Sequence, residues 1–78
     1  MDKEMEKIKK QMRHNLIKIA TFFEQSLGYP RYIFAENISE LGSMEKQMMF
    51  CLNFTKEYPK YSKENGILIN YKDYEDTQ

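Results

Sequence analysis

Two side chains in this chain could support nucleophilic catalysis, and each residue type occurs once. His14 is the single histidine and Cys51 the single cysteine of the 78 residues. A Cys–His pair needs the imidazole within hydrogen-bond reach of the thiol, and the helical pattern described below places His14 on a polar helix face. We therefore expect a structural cysteine, a solvated histidine and a protein that is not an enzyme.

The residue types that commonly bind metals or phosphates are present, but their spacing matches no known kind of site. Metal sites draw several His, Cys or carboxylate ligands from short stretches of sequence, and no such cluster is visible. The three glycines are far apart, so the sequence contains no glycine-rich phosphate loop. The sequence therefore predicts neither a metal nor another cofactor.

A line of basic side chains is the strongest functional pattern. Lys3, Lys7, Lys10, His14 and Lys18 follow at intervals of four, three, four and four residues. On a helix they form one stripe, which could track a phosphate backbone or anionic lipid headgroups. A solvated helix face has the same pattern, and twelve basic and twelve acidic side chains give zero net charge. The four lysines are the candidate nucleic-acid-binding residues of an alternative function, a nucleic-acid-binding accessory protein.

Tyrosines among basic residues form a second pattern. Tyr58 and Tyr61 fall in a polar stretch, 56–65, that Pro59 interrupts and that we predict to be a loop. Exposed rings there could stack on single-stranded bases or anchor a protein interface. Half-burial against the protein's own core is the alternative that needs no partner.

The apolar residues at the start of the chain have helical spacing. They recur at intervals of three or four residues and so share one side of a helix. They are Met1, Met5, Ile8, Met12, Leu16, Ile19, Phe23 and Leu27. Gly28 and Pro30 end this pattern, and the sequence predicts a helix over 2–27.

The rest of the chain favours strands, because aromatic and β-branched residues alternate with other residues. The predicted strands cover residues 31–38, 47–55 and 66–72. A meander would bury the apolar faces of both the strands and the helix. The predicted fold class is α+β, a single small domain (1–78) with the long N-terminal amphipathic helix packed on a three-stranded antiparallel β-meander.

The middle segment has a second interpretation. Residues 43–57 also fit a helix that begins after Ser43 as its N-cap. We prefer the strand, because Phe50 and Phe54 alternate well with their neighbours but lie poorly on the apolar face of such a helix.

The length of the first helix suggests how the protein acts. A helix over 2–27 is roughly 40 Å long, so its first half is expected to overhang so small a domain. Met5, Ile8 and Met12 would then face a second copy of the chain or another protein, and Tyr58 and Tyr61 complete the candidate partner-binding residues. We expect a small protein-binding regulator or inhibitor that acts by association, with homodimerisation through α-helical contact as one form.

The expected compartment is the cytoplasm. The charged N-terminus is unlike a secretion signal, and no run of about 18 apolar residues predicts a membrane-spanning helix. The lone cysteine excludes an intrachain disulfide framework. Residue usage rich in Lys, Glu, Asn, Ile and Tyr is typical of short reading frames from AT-rich bacterial or phage genomes, which favours a phage or mobile-element protein.

Overall fold

The computed structural model describes residues 3–67, which form four helices and contain no strand. These are α1 (Lys3–Leu27), α2 (Arg31–Leu41), α3 (Met44–Glu57) and α4 (Pro59–Glu64). The α+β prediction is therefore wrong, and helices replace the strands predicted over 31–38 and 47–55. The strand predicted over 66–72 lies mostly outside the described residues.

Helix α1 covers almost the same residues as the helix predicted from the apolar spacing. It ends at Gly28, which has a φ of 67° and whose N–H bonds the Glu24 carbonyl at 3.1 Å. The N–H of Tyr29 bonds the Phe23 carbonyl, and the two ring centroids lie 6.3 Å apart. Pro30 then precedes the first residue of α2, so the chain reverses within three residues.

Helix α2 forms where the alternating pattern predicts a strand, because the same residues also carry a helical pattern. Phe34, Ile38 and Leu41 are spaced by four and three residues, and all three point away from solvent at least in part. Tyr32, which the alternation pairs with Phe34 on one strand face, is instead 69% exposed. The helical spacing is the one that burial follows.

Helix α3 agrees with the second interpretation of 43–57 and not with the preferred one. The Ser43 hydroxyl accepts a hydrogen bond from the Lys46 N–H at 3.2 Å, which is an N-cap. Helices α1, α2 and α4 all pack against α3, so Cys51, Leu52 and Phe54 are all buried. A helix covered over such a wide arc has a nearly continuous apolar run, which periodicity alone cannot distinguish from a buried strand.

Helix α4 replaces most of the loop predicted over 56–65. Pro59 occupies the first helical position, where its missing N–H costs nothing. The helix ends at Glu64; in the turn that follows, Gly66 has a φ of 66° and the Ile67 N–H bonds the Ser62 carbonyl at 2.9 Å. These contacts carry Ile67, only 4% exposed, into the core.

One apolar core joins these helices. Its buried members are Ile19, Ala20, Phe34, Cys51, Phe54 and Ile67. Half-buried side chains surround them, of which Met12 is the first in the chain and Tyr61 the last. On α1 the core therefore begins at Met12, about two turns after the helix starts.

Candidate protein-binding surfaces

The structure separates the five residues that the sequence analysis assigns to partner binding. Met12 packs against the core, whereas Met5 and Ile8 are half-buried and lie outside the core cluster. Tyr58 is the N-cap of α4 and Tyr61 lies within α4. Both rings pack against Phe22 in the second half of α1. The methionine side of α1 and the tyrosines are thus two separate regions.

The tyrosines are part of an aromatic cluster. The ring of Phe22 lies 4.6 Å from Tyr58 and 4.9 Å from Tyr61, centroid to centroid. Phe54 lies 4.9 Å from Tyr58 and 6.1 Å from Tyr61. The Tyr61 hydroxyl donates a hydrogen bond of 2.8 Å to the Lys18 carbonyl, and burial raises the pKa of that hydroxyl. Tyr61 therefore packs within the protein, while Tyr58 is 37% exposed.

The basic stripe on α1 is divided by the turn that follows α4. His14 Nε2 lies 3.3 Å from the Asn65 carbonyl oxygen, and Lys18 is half-buried beside Tyr61. Lys3, Lys7 and Lys10 lie beyond this contact, are exposed, and form no ion pair with any residue in 3–67. We call these three residues the lysine row.

A groove that the sequence analysis did not predict runs between α1 and α2 and reaches the start of α3. Its volume is about 580 Å³, and we call it the α1–α2 groove. Its apolar lining is formed by Met12, Leu16, Ile17, Ala20, Phe34, Ala35, Ile38 and Met44. The strand prediction for 31–38 hid this groove, because the groove exists only when Phe34 and Ile38 share a helix face.

The edge of the α1–α2 groove is basic. Lys9, Arg13 and Arg31 line it, and no acidic residue of the range 3–67 does. The Arg31 guanidinium bonds Glu24 at 2.9 Å and the Thr21 hydroxyl at 2.8 Å, whereas Lys9 and Arg13 form no ion pair within residues 3–67. Beside them Ile17 is 52% exposed. In the sequence, the signal for this groove is Ile17, an apolar residue that lies outside the main apolar stripe and among basic residues.

A second groove lies where the end of α1 meets α2 and α3. It measures about 360 Å³ and is lined by Phe23, Leu27, Tyr29, Phe34, Asn37, Ile38, Leu41 and Phe50. Leu27 at its edge is 64% exposed. The Asn37 amide donates a hydrogen bond to the Tyr29 hydroxyl, so these two polar side chains of the groove bond each other. This groove is apolar, and none of the described residues that line it is charged.

The candidate nucleophile lies inside the core. Cys51 is 1% exposed, and burial raises the pKa of its thiol from 9.0 to about 12. The thiol is therefore protonated at neutral pH, which disfavours nucleophilic attack. His14 lies instead on the exposed side of α1, against the Asn65 carbonyl. Cys51 thus acts as a small apolar core residue.

Residues 3–67 form neither a metal-binding cluster nor a membrane-spanning helix. No three His, Cys, Asp or Glu side chains gather in a way that could hold a metal ion. None of the described helices has the length and hydropathy needed to cross a bilayer.

Comparison with known proteins does not assign the chain to a family. No protein-family model, no curated protein sequence and no solved structure matches it. The functional conclusion therefore depends on the surfaces described above.

Proposed function

We propose that this chain is a small protein-binding regulator or inhibitor that receives a segment of a partner protein in the α1–α2 groove. The observation that supports this best is the exposed Ile17 in an otherwise apolar lining, beside Lys9 and Arg13, which form no ion pair within residues 3–67. Exposed apolar surface bordered by charge is characteristic of protein interaction sites. Arg13 can also bind a carboxylate of the partner with two parallel hydrogen bonds.

The α1–α2 groove is a better candidate for partner binding than the five residues predicted from the sequence, because two of those five pack within the protein. Met12 supports the core, and Tyr61 is held by Phe22 and the Lys18 carbonyl. Met5 and Ile8 remain available to a partner, and Tyr58 is 37% exposed. At the groove, Ile17 is 52% exposed and lies outside the core cluster, so a partner can cover it without a change in that cluster.

The test is affinity capture from the native host with nuclease treatment, using the tagged full chain and two variants. Ile17→Asp puts a charge at the α1–α2 groove, and Leu27→Asp puts the same charge at the other groove. We expect one protein to be enriched by wild type and by Leu27→Asp, with roughly a tenfold loss in Ile17→Asp. Circular dichroism of both variants checks the fold. Equal capture by all three, or no enriched protein, contradicts the proposal.

A second copy of the chain is the simplest partner to examine. Sedimentation analysis of wild type and of Met5→Lys combined with Ile8→Lys tests a dimer formed through the first half of α1. Both side chains lie outside the core cluster, so the variant keeps the packing around Ile19. A wild-type dimer that becomes a monomer in the variant supports self-association, and a wild-type monomer excludes it.

Nucleic-acid binding is the second candidate function, and the lysine row favours it. Three exposed lysines that pair with no acidic residue of the described range 3–67 lie on one line of α1. The packing of Tyr58 and Tyr61 on Phe22 disfavours base stacking by these rings. Phosphate contacts would make binding fall steeply with salt, and Lys3→Gln with Lys7→Gln and Lys10→Gln would flatten that slope. No binding to single- or double-stranded nucleic acid at low salt excludes this function.

A further inference from the structure

We propose that the partner segment received by the α1–α2 groove is an amphipathic helix with acidic residues at one end. We base this on the function proposed above and add to it the charge pattern and the conformation of the occupant. Two carboxylates one turn apart bind Lys9 and Arg13, and the apolar residues that follow on the same face of the partner helix cover Ile17 and the groove lining.

The first observation is the order of side chains along the α1 edge of the groove. Lys9, Arg13 and Ile17 follow at intervals of four residues, so they lie on one line of the helix. All three are exposed, and all three line the groove. This line therefore presents two positive charges and then an apolar surface. A complementary partner presents two acids and then an apolar surface in the matching order.

The second observation is that the positive charge open to a partner lies at one end of the groove. Arg31 also lines the groove, but its guanidinium donates to Glu24 at 2.9 Å and to Thr21 at 2.8 Å. Thr21 lies eight residues after Arg13, which is roughly 12 Å along α1. Lys9 and Arg13 form no ion pair within residues 3–67. The acids of a partner therefore belong at the Lys9 end, and neutral or apolar residues at the Arg31 end.

The third observation is the apolar lining between these two ends. Four of its side chains are only half-buried, so part of each is open to solvent: Met12, Leu16, Ile38 and Met44. A phosphate backbone could pair with Lys9 and Arg13, but it carries no apolar side chains to cover this surface. An acidic amphipathic segment satisfies both the charges and the lining. The groove therefore favours a protein segment over a nucleic acid.

The conformation of the occupant follows from the architecture around the groove. Residues 3–67 form no strand, so they offer no sheet edge that an extended peptide could lengthen. The groove instead runs between two packed helices, where one face of a third helix can lie. Lys9 and Arg13 are separated by about 6 Å along α1, and two acids four residues apart on a partner helix have the same separation. A helix therefore presents its carboxylates at the spacing of the two basic groups.

Selection from a display library of random peptides tests the proposal, with the full chain as bait. Peptides of about 16 residues are long enough, because as helices they measure roughly 24 Å. Counter-selection against Ile17→Asp retains the peptides that need the groove. We expect these peptides to carry two acids one turn apart at one end of an apolar stripe. Synthetic copies should gain helicity, measured by circular dichroism, when the wild-type chain is added.

Fluorescence anisotropy of a selected peptide then tests the contact with Lys9 and Arg13. Replacing both acids of the peptide with Gln should weaken its binding about tenfold, because two exposed ion pairs are lost. Lys9→Gln with Arg13→Gln should weaken the acidic peptide by the same factor and leave the Gln peptide unchanged. Lys60→Gln with Lys63→Gln removes the same charge at exposed positions outside the groove lining and is the matched control. This control should change affinity by less than about twofold at physiological salt.

The outcomes separate this inference from the function on which it rests. Peptides that Ile17→Asp weakens, but that lack acids or bind the Lys9 and Arg13 variant as tightly as wild type, overturn the inference and leave the proposed function standing. If Ile17→Asp weakens no selected peptide, both are overturned. Selected peptides that gain no helicity on binding contradict the helical occupant. A wild-type dimer that Ile17→Asp dissociates also overturns the inference, because a second copy would then occupy the groove.

Discussion

The hydroxyl of Tyr61 bonds the backbone carbonyl of Lys18 across 43 positions of the chain, at 2.8 Å. This contact ties the short α4 to the middle of α1. The hydroxyl is protonated at neutral pH, because burial raises its pKa further above neutrality. The hydrogen bond therefore contributes to holding α4 in place under ordinary conditions.

Tyr61→Phe removes this hydrogen bond and keeps the ring on Phe22 and Phe54. We expect the free energy of unfolding to fall by about 1 kcal/mol, the typical net value of one such bond. Urea titration monitored by circular dichroism measures it. Tyr32→Phe, at a 69% exposed position, is the matched control and should change stability by less than about 0.5 kcal/mol. Equal effects would show that the Lys18 contact contributes nothing.

The aromatic cluster makes Tyr58 a structural residue as well. Its ring lies 4.6 Å from Phe22 and 4.9 Å from Phe54. We expect Tyr58→Ala to cost about 1–2 kcal/mol of unfolding free energy, since both ring contacts and the partial burial are lost. Tyr32→Ala is the control for the loss of an exposed ring. If thermal melts show the same small shift for both, the packing of Tyr58 is not stabilising.

The N-cap of α3 is a local contact that the helical interpretation of residues 43–57 includes. The Ser43 hydroxyl accepts from the Lys46 N–H, so Ser43→Ala should lower the unfolding free energy by about 1 kcal/mol. Ser26→Ala, at an exposed position of α1, should have little effect or be slightly favourable. Chemical denaturation of the two variants makes the comparison. A neutral Ser43→Ala would mean that the cap does not stabilise α3.

The buried thiol of Cys51 predicts a loss of stability in alkali. Because its folded pKa of about 12 lies above the unfolded value of 9.0, its contribution is complete below about pH 9 and is lost as the pH rises towards 12. Between pH 8 and pH 10 we expect wild type to lose about 1 kcal/mol more than Cys51→Ala. Denaturant titrations at pH 8 and pH 10 give the loss of unfolding free energy for each protein, and the two losses are then compared. Equal losses would place the thiol in contact with water.

The sequence predicts α1 well, because its apolar residues lie on one stripe and Gly28 with Pro30 stops it. Helix α2 was missed because Tyr32, an exposed ring, completes a false alternation with Phe34. Helix α3 was misassigned because three helices pack around it and its apolar run has no single face. The spacing of residues in a segment does not show how many neighbouring elements will cover it. A helix that is buried on most sides, such as α3, can therefore be recognised only once the tertiary packing is known.

The candidate surfaces were predictable to a different degree. The lysine row follows from spacing alone, since it needs only α1 to be a helix. The α1–α2 groove needs two helices to meet, and the prediction for 31–38 gave a strand instead. Tyr58 and Tyr61 look exposed in sequence because Pro59 suggests a loop, yet Pro59 is the first residue of the helix that packs them inward.

Ile67 lies three positions after the last residue of α4, yet its side chain fills part of the interior. A fragment able to fold should therefore extend past α4. A fragment cut at Glu64 would keep the four helices described here and still lose the Ile67 side chain from the core, so trimming this protein by its secondary structure alone would remove a piece of its centre.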